Sequence, residues 1–184
     1  MVEIGEREAG LLEVEREAEL RRRDLVVERL NEGATFYKGK DGKMYTKEQN
    51  KSASQCPGHV ADALENGGVN LRKHQDKNDP NYFRAYKYRE YLEKENFIPI
   101  KNYIHNKKDI DSKRIYIPDP ENYNPQKGDV VVFDVTIKHD DGHMAMYNGK
   151  IWVSDFVQRY MWGGGIRKEA PSYKIYRNPR WQEF

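Results

Sequence analysis

The chain has 184 residues, of which 34% are charged and 37% hydrophobic, and its formal net charge is +2. This length predicts one domain with room for an extension, and so small a net charge gives no argument for a nucleic-acid partner. A single cysteine excludes an internal disulfide and a four-cysteine zinc site. No apolar run is long enough for a membrane span, and the acidic first residues lack the apolar core of a signal peptide.

The first segment, residues 1–33, is predicted to form a charged helix that ends at Gly33. Apolar residues recur along it at every seventh position, at Ile4, Leu11, Ala18 and Leu25. This spacing is typical of a helix packed along one side or of a short coiled coil. Two interpretations stay open, an adaptor or dimerisation arm and a linker helix from a longer protein. In both, the main domain comprises residues 34–184.

The only cysteine, Cys56, stands where a second helix is predicted to begin. Pro57 suits the first turn of a helix, and Gly67 suits its end. The partial positive charge at a helix N-terminus favours a thiolate over a thiol, which is one way in which a cysteine becomes a nucleophile. The alternative, a small buried apolar side chain, stays open at this point.

Two further elements surround the cysteine helix. Residues 34–51 are predicted to contain a short hairpin, and a tyrosine-rich helix is predicted from about Pro80 to Glu95. Basic residues interleaved with tyrosines are found on single-stranded nucleic-acid surfaces, but a solvated helix face with half-buried tyrosines is the preferred interpretation. The predicted core stripe of this helix consists of Phe83, Tyr86, Tyr91 and Leu92.

The last third of the chain changes to the alternating pattern of strands. Strands are predicted at residues 130–137, 143–147, 150–156 and 173–177, with a hairpin signal at Asn148-Gly149. Because helices come first and antiparallel strands follow, the predicted fold class is α+β, with N-terminal helices packed on an antiparallel sheet.

A base for Cys56 is predicted in the strand that follows Gly142. His143 opens this strand and can point toward a helix packed on it, and Asp155 on the next strand can orient the imidazole. His139 lies four residues before His143 but across a turn, so their spacing is not that of a helical zinc motif. We therefore expect no metal and no cofactor.

The hairpin decides whether His143 and Asp155 share a face of the sheet. A two-residue loop at Asn148-Gly149 points them to opposite faces, because neighbouring strand residues alternate. A three-residue loop with a bulge places them diagonally on one face. We expect a bulge or a shifted register, with His143 hydrogen-bonded to Asp155 and Cys56 beyond the other ring nitrogen.

Several short motifs, in this order, resemble the papain-like peptidoglycan amidases of the NlpC and CHAP type. They are Gln55-Cys56 at a helix start, Gly128-Asp129 before a strand, Gly142-His143 at a strand start, and Trp152 to Phe156 on the next strand. The resemblance covers about residues 52–165. Residues 154–158, with Trp162 and the glycines after it, look most like amidase effectors of bacterial type VI secretion.

The resemblance implies a papain-like cysteine hydrolase that cuts an amide bond of the peptidoglycan stem peptide. Cys56 would attack, His143 would carry the proton and Asp155 would fix the imidazole. The oxyanion site or substrate cleft is expected to involve Gln55, Trp162 and Gly163.

The resemblance also implies partners and a place of action. A small immunity protein and a component of the secretion machinery are expected as partners. The protein would be made in the bacterial cytoplasm without a signal peptide and would act in the periplasm of a target cell. Two alternatives stay open, a phage or autologous lysin with the same chemistry and a non-catalytic binding module on the same scaffold.

Overall fold

The computed structural model describes residues 2–38, 44–46, 56–104, 122–135, 140–158, 160–162 and 171–182. The helices are α1 (Val2–Thr35), α2 (Cys56–Asn66) and α3 (Tyr88–Lys94), with 3-10 turns at Leu71–His74, Ala85–Lys87 and Pro179–Trp181. The strands are β1 (Phe36–Lys38), β2 (Met44–Thr46), β3 (Ile98–Tyr103), β4 (Val130–Phe133), β5 (His143–Tyr147), β6 (Trp152–Val153), β7 (Val157–Gln158) and β8 (Tyr173–Arg177). Among the described residues, no helix has the length and apolar character needed to cross a bilayer.

A six-stranded antiparallel sheet in the order β3-β8-β4-β5-β6-β7 forms the body of the protein. One face packs against the helices, where Val132 and Met144 meet Leu30 and Leu64 in one core. The other face carries a second core, which includes Val131, Phe133, Ala145, Trp152, Trp162 and Tyr173. Because both faces are covered, β4 is a continuous apolar run without alternation. The predicted α+β class is confirmed, as is the β1–β2 hairpin.

The prediction that α1 ends at Gly33 is wrong, because the helix continues to Thr35. A Cβ on Gly33 would lie 2.0 Å from Cε1 of His59. His59 also brings its Nε2 within 3.0 Å of the Leu30 carbonyl oxygen. Gly33 is therefore a point of close approach between α1 and α2, and its missing side chain serves packing.

The two halves of α1 differ in burial. Leu11, Leu12 and Val14 are about two-thirds exposed, at 65%, 66% and 65%. Val26 and Leu30, near the other end, are fully buried against α2 and the sheet. Leu11 and Leu25, two residues of the seven-residue spacing, are exposed, so this spacing does not mark the buried side of α1. The division at residue 33 stays a prediction, and the last turns of α1 contribute to the main core.

The tyrosine-rich helix is shorter than predicted, because turns occupy its first half. Asp79 Oδ1 accepts a hydrogen bond from the backbone N–H of Asn81, which favours a turn over a helix start. Phe83, predicted in the core, is 47% exposed, whereas Tyr91 and Leu92 are buried as predicted.

The β5–β6 hairpin has a shifted register, as expected, but its pairing is neither of the two considered from the sequence. Tyr147 pairs with Trp152, and Asn148 N–H donates to the Ile151 carbonyl at 3.0 Å, so the loop is Gly149-Lys150. The Asn148 side chain explains the shift, since its Oδ1 accepts from the N–H groups of Lys150 and Ile151. Gly149, with φ of +99°, supplies the left-handed conformation at the first loop position.

The strand predicted over residues 150–156 is broken after Val153. A tight turn follows, in which Ser154 N–H donates to the Phe156 carbonyl at 2.9 Å. The chain then returns as β7, where Gln158 pairs with Trp152. This turn removes Asp155 from the alternation of the strand, so the face argument used for the hairpin does not apply to it.

Candidate active site

Cys56 is the first residue of α2, as the proline and glycine signals predicted. Its side chain is buried, with 8% exposed. Its Sγ donates a hydrogen bond to Oδ1 of Asp155 at 3.1 Å. The helix α2 packs on β5, the strand that begins at His143.

Asp155 reaches the thiol from the tight turn between β6 and β7. The residue is 1% exposed, and Ser154 Oγ lies 3.3 Å from the same Oδ1. Burying a carboxylate is costly unless donors surround it, and here the thiol of Cys56 is one such donor. The turn therefore directs an ionisable group at the sulfur of Cys56.

His143 is the first residue of β5, opposite Phe133 on β4. Its ring is buried beside the rings of Phe133 and Phe156, at centroid distances of 5.9 and 6.5 Å. Gly142 leads into the strand with φ of +71°, and a Cβ there would lie 2.6 Å from the Phe133 carbonyl oxygen. Only glycine allows this close approach, which fixes where His143 enters the sheet.

Gln158 on β7 contacts the imidazole directly. Its amide lies 2.6 Å from Nε2 of His143 and 2.8 Å from Ser154 Oγ. One orientation of the amide satisfies all of its neighbours. Oε1 then accepts from the imidazole and the hydroxyl, and the NH₂ donates to the carbonyls of Tyr160 and Met161 at 3.2 and 3.1 Å.

A buried chain of polar side chains thus connects the thiol to the imidazole. It runs through Cys56, Asp155, Ser154, Gln158 and His143. Sequence reasoning selected the first, second and last of these and missed Ser154 and Gln158. Ser154 and Gln158 lie on either side of Phe156, the predicted end of the strand. Polar residues at such positions could have been recognised as possible members of the site, because buried polar side chains require hydrogen-bond partners.

The remaining predicted positions have different outcomes. Gln55 and Gly163 lie outside the described residues. Trp162 is buried against Phe133 and Tyr173, at centroid distances of 6.0 and 5.9 Å, so it supports the ring that lies beside His143. Its role in a substrate cleft stays a prediction. Among the described residues, no group of histidine, cysteine and acidic side chains is arranged to hold a metal ion.

The fold is α+β, with a cysteine at the start of a helix and a histidine at the start of an antiparallel strand, as in papain-like proteins. The chain is similar to a chain in the crystal structure of the type VI native effector–immunity complex Tae3–Tai3 from Ralstonia pickettii. The identity is 25%, the TM-score is 0.54, and the match covers 84% of this chain and 97% of that one. The selenomethionine form of that complex matches in fold, with 22% identity, a TM-score of 0.51 and coverage of 83% and 99%. No protein-family model and no curated protein sequence matches.

Proposed function

We propose that this protein is a type VI effector that hydrolyses an amide bond of the peptidoglycan stem peptide by cysteine chemistry of the NlpC and CHAP type. The observation that carries the proposal is the buried contact of 3.1 Å between the thiol of Cys56 and the carboxylate of Asp155 at the start of α2. The similarity over 84% of the chain to a protein of an effector–immunity complex supports the biological setting.

The proposed reaction is acyl transfer through a thioester. The proton of Cys56 passes to His143 as Sγ attacks the carbonyl carbon, and the backbone N–H of Cys56 stabilises the oxyanion. The imidazolium then donates its proton to the leaving amine, and the C–N bond breaks. Water attacks the thioester, giving a carboxylate and regenerating the thiol. The negative charge of Asp155 stabilises the imidazolium during both proton transfers.

The proposed partners follow from the same similarity. The matched protein was crystallised in a complex of effector and immunity protein, so we propose a small inhibitory protein for this chain as well. A secretion component would carry the effector from the producing cytoplasm into the periplasm of the target cell. Because the substrate lies there, toxicity is expected when the protein is directed to the periplasm of a test strain and not when it stays in the cytoplasm.

Digestion of purified sacculi tests the function. Wild-type protein and Cys56→Ala are incubated with sacculi, and the released fragments are identified by mass spectrometry. The wild type is expected to release stem-peptide fragments whose masses name the bond, and the variant is expected to release none while keeping its fold. Absence of release by the wild type, or equal release by the variant, would contradict the proposal.

A further inference from the structure

We propose that the outer face of α1 is a homodimer interface, on which a second copy of this chain packs its own α1 in antiparallel orientation. The inference is independent of the proposed catalytic function, because it concerns the exposed side of α1 and no residue of the candidate active site. Of the two interpretations that the sequence left open for this segment, it chooses the dimerisation arm.

The outer face of α1 carries an apolar stripe that stays exposed in the fold. Leu11 and Val14 are each 65% exposed and Leu25 is 47% exposed, and Ala18 between them is exposed as well. Spacings of three, four and seven positions place these four residues on one side of the helix. Apolar residues that are aligned and exposed in this way are typical of an interaction surface.

The stripe lies on the side of α1 that faces away from the body of the protein. Successive residues of an α-helix are turned by about 100°. Leu30 and Ala34, which belong to the core beneath α1, therefore point about 130° and 170° away from the centre of the stripe. A second helix can lie along the stripe because the sheet and α2 occupy the other side.

The charges along α1 make a second copy in antiparallel orientation the matching occupant. Residues 13–19 contain four glutamates and one arginine, whereas residues 21–23 are all arginine. A twofold axis between residues 19 and 20 places the acidic part of each copy beside the basic part of the other. Glu15 of one copy then lies beside Arg22 of the second copy, at the edge of the interface where charged pairs set the orientation of paired helices.

The same register aligns the stripe with itself. It packs Leu25 against Val14 of the second copy and places Ala18 beside the aliphatic part of Arg21. A parallel pair would instead bring Arg21 against Arg21 and Glu28 against Glu28 in the middle of the contact, where like charges repel at close range. The antiparallel orientation avoids both of these contacts.

This register brings one pair of acidic residues together, Glu17 and Asp24 of the second copy. Each already has a cation beside it within its own chain. Nζ of Lys127 lies 2.7 Å from Oδ1 of Asp24, and a guanidinium nitrogen of Arg21 lies 3.8 Å from Oε2 of Glu17. These cations reduce the repulsion between the two carboxylates.

Sedimentation equilibrium of the full chain and its variants tests the inference. One chain has a mass of 21.8 kDa, and a dimer has twice that mass. Val14→Glu places a charge in the middle of the interface. Leu12→Glu is the matched control, because Leu12 is equally exposed, at 66%, on the same helix but points about 130° away from the centre of the stripe.

Two charge reversals test the register. Glu15→Arg and Arg22→Glu each turn the flanking pair into like charges, so each variant alone should associate more weakly than the wild type. In a mixed dimer of the two variants every such pair is again of opposite charge. The mixture therefore distinguishes contacts between copies from effects within one chain.

We expect the wild type to dimerise reversibly, and Val14→Glu to raise the dissociation constant by at least about 10-fold with an unchanged circular dichroism spectrum. Leu12→Glu should change the dissociation constant by less than about twofold. Glu15→Arg and Arg22→Glu should each raise it by about three- to tenfold, and their equimolar mixture should recover the affinity of the wild type.

A wild type that stays monomeric at about 0.5 mM would overturn the inference, as would an equal loss of association in Leu12→Glu. A mixture that associates no more tightly than the two charge variants alone would also overturn it. If Val14→Glu fails to fold, the mixture decides. The masses need no substrate, so a wild type that leaves sacculi intact would remove the proposed function and leave the test of the dimer decided.

Discussion

Asp129 and Asp155 are equally buried, each with 1% of its surface exposed, yet their surroundings differ. Asp129 lies just before β4 and accepts two hydrogen bonds from the guanidinium of Arg177, at 2.7 and 2.6 Å. The Tyr123 hydroxyl and the Gln126 backbone N–H complete its shell at 2.8 and 2.9 Å. Asp155 instead meets the thiol of Cys56 and a serine hydroxyl.

The difference separates a structural network around Asp129 from the network around Asp155 to which the proposed mechanism assigns the reaction. Burial, followed by the charge of Asp129 and the hydrogen bond to it, raises the pKa of Tyr123 far above its usual value, so this donor keeps its proton. The hydrogen bond to Asp129 likewise raises the pKa of Arg177. Tyr123 and Arg177 therefore keep their protons, whereas the donor to Asp155 is a thiol, whose proton leaves before sulfur attacks in the proposed mechanism.

Substitution of Asp155 is expected to give the largest effect on activity. Asp155→Asn should lower kcat by about 100-fold or more, because the imidazolium loses its stabilising charge. The free energy of unfolding should change by less than about 1 kcal/mol, since the amide has nearly the same shape and the site loses a buried charge. Muropeptide hydrolysis and urea unfolding measure the two quantities.

The matched substitution of Asp129 is expected to give the opposite result. Asp129→Asn should lower the free energy of unfolding by about 3 kcal/mol, because it leaves the partly buried guanidinium of Arg177 without its carboxylate. Activity per folded molecule should stay within about twofold of the wild type. If both asparagine variants lost activity alike, or both lost stability alike, the contrast between the two networks would be refuted.

Substitutions of two glycines compare a backbone position next to the site with one outside it. Gly142→Ala should destabilise the protein by about 3 kcal/mol and also lower activity, because a Cβ would clash with the Phe133 carbonyl and displace His143. Gly149→Ala, the control, has a similar positive φ but only ordinary contacts with Lys127. It should cost about 1 kcal/mol and leave activity unchanged. The stability of the two variants is measured by thermal unfolding and their activity by hydrolysis rates. Equal losses of activity in the two variants would argue against a special role for Gly142.

The smallest expected effect concerns Tyr123. Tyr123→Phe removes one hydrogen bond to Asp129 and should lower the free energy of unfolding by about 1 kcal/mol at neutral pH. The folded-state pKa of Tyr123 is raised, so its contribution is fully present below the unfolded value of about 10 and is lost as pH rises beyond it. The variant should therefore lose stability less steeply than the wild type above that pH. Urea unfolding as a function of pH checks this, and identical slopes would contradict it.

Local signals in the sequence predicted much of this fold. Pro57 and Gly67 predicted the two ends of the cysteine helix, and the strand pattern of the sequence predicted β5 and β8. These features depend on residues that are close together in the chain. The end of α1 was missed, since the ring of His59, on another helix, determines the need for glycine at position 33.

The site was predicted only in part for a similar reason. His143 and Asp155 were chosen as partners on the assumption that one strand runs through residue 156. The tight turn after Val153 instead brings Asp155 to Cys56 and creates β7, which carries Gln158 to His143. The positions of Asp155 and Gln158 both depend on this turn, and the alternation of apolar residues in the sequence does not indicate it.

Trapping of the acyl-enzyme tests the central claim, that Cys56 is the nucleophile, most directly. The protein is mixed with muropeptides, quenched in acid within one turnover, and examined by intact-protein mass spectrometry with peptide mapping. We predict an added mass equal to the acyl fragment of the substrate, located on Cys56 and removed by hydroxylamine, and no such mass in Cys56→Ala. Hydrolysis by the wild type with no adduct under single-turnover conditions, together with activity retained in Cys56→Ala, would contradict the claim.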